Sequence, residues 1–329
     1  MSKLSRRQLG KKIAEFLALR RALGMKYISG ERTLRRFENF AAGVAGADSH
    51  IDLSTAIPAW LERRADRKPV TLYHEFAPVR QFCLYLRRDN PAAYVPTTSL
   101  APVSNSPYVP YVFSLDEVRN LISEAEKPRR RAKLWPGVVH VLVITMYCTG
   151  IRLGEASRLQ LSDLDQAGRV LHIRESKGRS RDLPFRNDLA KQFARYLRER
   201  DAVLRARGRE NESALFVDRD GHALTVRAIS TTIKELLRRL GTKSCSGRAR
   251  PRPYDLRHTF AVHRLTSWYR DGRDLGVCLP WLSAYMGHID LLGTEVYLHA
   301  TPELLELASK RFSSRFSDSL NVEQENESP

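Results

Sequence analysis

The chain is mainly α with a small β-sheet, divided into a helical N-terminal part and a mixed α+β C-terminal part. Apolar residues recur at three- and four-residue spacing through most of its length, the pattern of one-sided helices. Between Leu171 and Pro184 the pattern instead alternates and is interrupted by Ser176-Lys177-Gly178-Arg179-Ser180, which reads as a β-hairpin. From Pro91 to Pro110 the sequence is rich in Pro, Ser, Thr and Asn without a sustained period, which marks an extended, exposed connection. At 329 residues there is enough chain for two cores. The expected division is a helical unit over 1–95, a linker over 96–112, a mixed unit over 113–315 and a polar, acidic, disordered tail over 316–329.

In the N-terminal part, Ile13, Phe16, Leu17 and Leu23 form one apolar stripe, and Leu34, Phe37, Phe40 and Ala41 form a second. Ser29-Gly30 between them reads as a turn or cap. A short third helix is expected over Pro58–Arg64, with proline at a tolerated early position. A fourth, over Thr71–Arg88, lines up Phe76, Val79, Phe82 and Leu86 while Arg80, Arg87 and Arg88 point elsewhere. Four basic clusters sit on this bundle: Lys11-Lys12, Arg20-Arg21-Lys26, Arg32-Arg35-Arg36 and Arg63-Arg64-Arg67-Lys68. Any one of them suits a solvated helix face; together they suit a phosphate backbone.

In the C-terminal part, Ser114-Leu115-Asp116-Glu117 is a helix start with a capping serine and acids in the first turn, and Val118, Leu121 and Ile122 supply the apolar face. Val138 to Tyr147 is almost wholly apolar and reads as a central buried helix, which Gly150 ends just before Arg152. Leu171 and Ile173 alternate with His172 and Arg174 as a half-buried strand, and Arg181-Asp182-Leu183-Pro184 starts its return, so Lys177 lies at the hairpin tip. Leu215-Phe216-Val217 reads as a minor extended element, Val226 to Leu240 as an amphipathic helix, and Pro302 to Phe312 as a last helix.

Apolar residues make up 42% and charged residues 28%, which excludes a disordered or fibrous chain. Net charge is the outlier: 55 Lys plus Arg against 37 Asp plus Glu gives +18. Such a field favours polyanionic partners, nucleic acid before an anionic membrane, for which no basic amphipathic anchor stands out. Cys83, Cys148, Cys245 and Cys278 are far apart and form no CxxC pair, consistent with a reducing cytoplasm. Residues 1–21 lack the apolar run of a secretory signal, and no stretch approaches the roughly 20 apolar residues that span a bilayer. A cytoplasmic, nucleoid-associated protein is expected.

The chemistry-bearing residues fall in one order: Thr149-Gly150-Ile151-Arg152-Leu153-Gly154-Glu155, then Lys177, then Tyr254-Asp255-Leu256-Arg257-His258, then Gly287-His288 with Tyr297 nine positions on. This resembles the tyrosine recombinase (phage integrase) family over the whole C-terminal part, and the N-terminal bundle resembles the family's core-binding (SAM-like) domain. The stretches Trp268 to Gly272 and Leu279 to Ser283, and Ala300 to Leu305, look more like integrases and transposases of mobile elements than like the enzymes that resolve chromosome dimers.

The resemblance implies that Tyr297 attacks a scissile phosphate to give a 3′-phosphotyrosyl link, the strand transfer of a type IB topoisomerase. Arg152 and Arg257 would grip the non-bridging oxygens, His288 would hydrogen-bond the phosphate, and Lys177 would protonate the leaving 5′-oxygen. Glu155 fits as a buttress, since an acid facing the phosphate would repel it. Arg179 and Arg181 compete with Lys177, and with Lys11, Lys12, Arg35, Arg36 and Arg80 are candidate DNA contacts. Bland alternatives stand beside these: Tyr297 as a packed helix residue, Arg152 and Arg257 in surface pairs with Glu155 and Asp255, Lys177 as a solvated tip, and His288 as a cap beside Gly287. His258, His263 and His299 have no assigned role and no metal-ligand spacing, and neither a metal nor another cofactor is implied.

One residue departs from the family pattern: Tyr254 stands where most members carry histidine. A phenol there still donates to phosphate but accepts a proton poorly near neutral pH, so slowed cleavage is expected. The implied partner is double-stranded DNA, bound by a homo-tetramer on paired sites, in some members with a second recombinase. The alternatives are a chromosome or plasmid dimer resolvase and, from another class, a catalytically weak architectural or accessory DNA-binding protein.

Overall fold

Leu9, Ile13, Phe16 and Leu17 lie on one face of α1 (Arg6–Ala22), whose first turn is closed by a capping box between Ser5 and Gln8. That face packs with α2 (Ile28–Ala45), α3 (Leu53–Glu62) and α4 (Pro69–Asp89) around Leu34, Phe37, Ile57, Trp60, Phe76, Val79 and Phe82. Phe37 meets Trp60 edge to face at 5.6 Å, the preferred arrangement of two ring quadrupoles. The computed structural model describes the chain except residues 1–3, 46–49, 64–67, 102–109, 129–131, 177–178, 242–250, 289, 296, 299–304 and 314–329, and except the side chains of 175, 176 and 179. Lys177, Arg64, Arg67, Cys245, His299 and the acidic tail therefore lie outside the described residues.

Two compact units emerge, Met1–Pro107 and Tyr108–Pro329. The N-terminal unit corrects four local expectations. Leu23, at the cap of α1, is exposed, and the reversal falls at Gly24, whose φ of 79° only glycine adopts freely. Gly30 is not a turn but a buried helical residue: a Cβ there would lie 2.3 Å from the Tyr27 ring. Helix α3 begins earlier than expected because Asp52 caps it, accepting from Ser54 N at 2.9 Å, and Pro58 sits in its interior. The stretch after Pro91 is not a free linker up to Ala101. Ala93 and Ala101 are buried against the first core, and Arg80 Nε donates to the Pro96 carbonyl at 3.1 Å.

The second unit is built around α6 (Pro136–Thr149), which is buried on nearly every side because nearly every side is apolar. Around it pack α5 (Leu115–Glu126), α8 (Asn187–Ala206) and α10 (Asp255–Arg270), with α9 (Val226–Arg239) lying against α5 in the same core. The expected cap of α5 is present: Ser114 Oγ accepts from Glu117 N, and Glu117 Oε2 accepts from Ser114 N.

The sheet has three antiparallel strands in the order β1 (Leu164–Asp165), β2 (Val170–Ser176), β3 (Arg179–Pro184). Leu171 pairs with Leu183 and both face the core, whereas His172 and Asp182 pair on the open face with Nδ1 and Oδ1 2.7 Å apart. Ile173 pairs with Arg181, which places Arg181 on the buried face. The minor extended element at 214–217 is held by isolated bridges, Ala214 to Gln160 and Val217 to Ala223.

A smaller cluster of Phe260, Ala261, Val262, Leu265, Leu282, Met286 and Tyr297 joins α10 to α11 (Leu275–Met286) and to the short turn α12 (Leu292–Glu295). Residues 305–313 are helical, and Arg311 donates to the carbonyls of Gly272 and Arg273.

Candidate active site

Two helix ends define the site. Helix α6 stops at Gly150, in the left-handed region at φ 61°, and α11 stops at Gly287, at φ 68°. Side chains are excluded at both places by space as well as by φ: a Cβ would lie 2.5 Å from Phe260 at Gly150 and 2.8 Å from Arg181 at Gly287. The carbonyls thereby exposed are the negative ends of the two helices, and each accepts from one of the sequence-selected arginines. Arg257 Nη1 donates to Gly150 O, and Arg152 Nη2 to Gly287 O at 2.8 Å.

Arg257, on the first turn of α10, is 1% exposed. Its Nη2 also donates to Met286 O at 2.7 Å and to His288 Nε2 at 2.9 Å, while its Nε is buried without a hydrogen-bond partner. Burial, followed by the charge of Arg152, lowers its pKa, yet a guanidinium stays protonated in such a site. The alternative of a surface pair with Asp255 does not hold among the described residues: fully buried Asp255 accepts from Arg252 N at 2.7 Å and Arg252 Nη2 at 3.2 Å.

Arg152 caps α7 (Leu153–Ala156), and there the pair considered from sequence does form: Nη1 lies 2.8 Å from Glu155 Oε1. It is not a surface pair, because Glu155 is buried. Glu155 also accepts from Arg181 Nη1 at 3.0 Å and Nη2 at 2.8 Å, and Arg181 Nε donates to Tyr285 O at 2.8 Å. Arg181 is thus a largely covered clamp on Glu155 and does not face outward as a DNA contact or a competitor of Lys177 would. The correction follows from strand parity, since the residue opposite Ile173 must share its face.

His288 follows the Gly287 cap. Its Nε2 meets Arg257, and its Nδ1 lies 2.7 Å from Thr294 Oγ1 on α12. Burial, then the charges of Arg257, Arg152 and Arg181, push its pKa down to about 4, so the ring is neutral at pH 7. Tyr297 is 2% exposed, its ring 6.1 Å from His288 and nearly parallel, and 5.3 Å from His258 at a steep angle. Burial raises its phenol pKa while the charge of Arg257 works the other way. Apolar packing and a place beside two arginines are therefore both true of Tyr297.

Tyr254 precedes α10, is 38% exposed and sets its ring edge on His258 at 5.0 Å; no described residue hydrogen-bonds its hydroxyl. His258 has no role assigned from its spacing, yet its ring meets both Tyr254 and Tyr297, its Nδ1 is buried without a partner, and burial lowers its pKa to about 4. Thr294 escaped the sequence entirely.

The N-terminal candidates behave differently. Lys12 pairs with Glu15 and Asp89, Arg35 with Glu38, Arg36 with Glu75, and Arg80 with the Pro96 carbonyl, while Lys11 is exposed. Among the described residues the one group with metal-ligand proximity is Asp218, Asp220 and His222. It shares no residue with the arginine cluster, and Asp218 Oδ1 already accepts the backbone N–H of Asp220 and His222. No helix among the described residues is long and apolar enough to cross a membrane.

Comparison with known proteins identifies the family. The phage integrase family matches residues 112–303. The integrase/recombinase y4rB of Sinorhizobium fredii is 33% identical over 310 residues, covering 93% of this chain and 97% of that protein. The tyrosine recombinase XerC of Listeria monocytogenes is 28% identical over 236 residues, covering 72% and 73%. In fold, the chain is similar to the Tn1549 transposon integrase in complex with transposon right end DNA, with a TM-score of 0.66 at 16% identity over 93% and 99% of the two chains. It is also similar to XerH recombinase bound to its palindromic difH substrate, with a TM-score of 0.64 at 18% identity over 94% and 85%. With the family matched over more than half its length and y4rB over nearly all of it, this chain belongs to the phage integrase family of tyrosine recombinases and is a site-specific enzyme that cuts and rejoins DNA.

Proposed function

We propose that the chain is the recombinase of a mobile element and exchanges strands through a 3′-phosphotyrosine at Tyr297. The observation that carries the chemistry is the convergence of four residues from separate segments: Arg152 and Arg257 joined through the helix-end carbonyls, His288 on Arg257, and the Tyr297 ring on His288. In this reading the two guanidinia neutralise the scissile phosphate and the charge that develops in the transition state. The Tyr297 oxygen loses its phenol proton to solvent water and bonds to phosphorus as the bond to the 5′-oxygen breaks, and that oxygen takes its proton from Lys177. A 5′-hydroxyl from a second strand reverses the step, so no bond energy is lost to water, as in type IB topoisomerase chemistry. Tyr254 donates a hydrogen bond to phosphate, and Glu155 holds Arg152 in place. Double-stranded DNA is held on paired sites by a homo-tetramer, and the exposed cations of the N-terminal unit, Lys11 among them, meet its backbone.

The mobile-element role is supported by the long match to y4rB and by the likeness in fold to a transposon integrase. The match to XerC favours a second reading, a chromosome or plasmid dimer resolvase. Trapping tests the chemistry: the protein is incubated with a nicked suicide substrate, denatured, and examined for a covalent DNA adduct that disappears in Tyr297→Phe. A bound site that yields no adduct would leave a DNA-binding accessory role as the correct one. Mapping that site to element ends or to the replication terminus separates transposition from resolution.

A further inference from the structure

His288 has two ring nitrogens with different partners, and the partners fix where its proton lies. Nη2 of Arg257 is 2.9 Å from Nε2, and a guanidinium only donates, so Nε2 accepts. In the neutral ring the proton is then on Nδ1 and is donated to Thr294 Oγ1, 2.7 Å away. That tautomer offers a phosphate oxygen only a lone pair. To present an N–H at Nε2 and stay neutral, the ring must give up the proton on Nδ1, and the Nδ1 lone pair then needs a donor, because a polar atom left unpaired inside the site is costly. Thr294 is the one described residue that hydrogen-bonds Nδ1. It is fully buried, and its hydroxyl both donates and accepts by rotating. Its backbone is also committed: Thr294 O accepts the amide N–H of Tyr297 at 3.0 Å, so one residue braces both His288 and the turn that carries the nucleophile.

We propose that Thr294 is a positioning residue whose hydroxyl accepts from His288 Nδ1 in the free protein and donates to it when DNA binds, so that Nε2–H faces the scissile phosphate. No proton is gained or lost: one leaves Nδ1, one arrives at Nε2 by exchange with water, and the threonine hydrogen rotates. Arg257 Nη2 keeps Met286 O as its acceptor when the phosphate oxygen takes its place at His288. The proposal rests on the reading that His288 contacts the phosphate.

Single-turnover cleavage of the suicide substrate by Thr294→Val, Thr294→Ser and His288→Ala tests it, together with ¹⁵N spectra of His288 in the Tyr297→Phe protein, free and bound to uncleaved DNA. Thr294→Val is expected to lose on the order of 10-fold in cleavage rate, the scale for removing the partner of a functional histidine's second nitrogen. The loss should lie in the cleavage step and not in DNA affinity, and Thr294→Ser should recover most of it. The spectra should show Nδ1–H in the free protein and Nε2–H in the complex. They use an intact Thr294 and so decide the matter even where Thr294→Val does not fold. Retention of Nδ1–H in the complex, or wild-type cleavage by Thr294→Val beside a slow His288→Ala, overturns the proposal alone. Wild-type cleavage by His288→Ala overturns the phosphate-contact reading and the proposal with it.

Discussion

The N-terminal unit and the catalytic unit use the same cations in opposite surroundings. On the helical bundle, Lys12 and Arg35 reach across the surface to carboxylates, in pairs that water and salt screen, and the exposed Arg36 reaches in to Glu75. In the catalytic unit, Arg257 and Arg181 are enclosed, and their partners are helix-end carbonyls and the buried carboxylate of Glu155. A surface cation can be exchanged for another with little consequence; an enclosed one is part of the frame that positions it. The contrast teaches that charge count alone, +18 over the chain, says little about which cations do chemistry.

Removing an enclosed cation should give the largest effect. Arg257→Ala is expected to lower single-turnover cleavage by on the order of 10³-fold, the scale for losing a transition-state donor. It should also lower the melting temperature, because buried acceptors at Gly150 and Met286 each lose a donor at roughly 1–3 kcal/mol. Arg257→Lys should restore part of the stability and little of the rate, since it keeps the charge without the fork. A melting temperature unchanged in Arg257→Ala would break the comparison. Next comes Glu155→Ala, which strands two arginines that share one buried carboxylate; denaturant titration should show a loss of roughly 3–5 kcal/mol.

Acid should act on the catalytic unit through its histidines. Burial holds His258 and His288 at about 4, against the usual 6.5. Between those values the unfolded chain binds protons that the folded chain does not, so stability is complete above pH 6.5 and falls as the pH drops towards 4. Thermal melts across that window should show the decline, and His288→Gln should flatten it.

Tyr254→His is expected to raise the single-turnover cleavage rate by supplying a better proton acceptor; an unchanged or lower rate would show that Tyr254 does not limit the reaction. The smallest effect belongs to the bundle. Arg35→Ala should change folding stability by no more than about 1 kcal/mol and weaken DNA binding uniformly across sequences, with the salt slope reduced by up to about one phosphate contact.

What the sequence disclosed follows the same division. Features set by neighbouring residues were readable: the apolar run of α6, its end at Gly150, the Ser114 cap, and the hairpin with Leu171 and Leu183 inward. The order of Arg152, Arg257, His288 and Tyr297 was readable because the family spacing carries it. Contacts closed over long separations were not. Arg152 meets the Gly287 carbonyl across 135 positions, and Arg181 meets Glu155 across 26, and no local period encodes either. Arg181 was half-readable: parity in the hairpin already put it opposite Ile173, on the side away from solvent. Thr294 and His258 gave no signal because a buried threonine and an aromatic contact need only proximity. The start of α3 was missed because Pro58 looks like a first-turn residue until Asp52 is seen to cap the helix.

The Nε of Arg257 is a buried donor that the fold leaves unsatisfied. Most buried N–H groups are satisfied when a chain folds; this one is not, while both terminal nitrogens of the same fork are engaged. The folded enzyme therefore holds a small deficit, about 1–3 kcal/mol for such a group, within the arginine pair proposed to grip the phosphate. Were a bound phosphate to relieve that deficit, the gain would be the same for any DNA sequence and would add to grip without adding to selectivity. Choice among sites must then come from surfaces that read bases, and the arginine cluster can remain unaltered while those surfaces change.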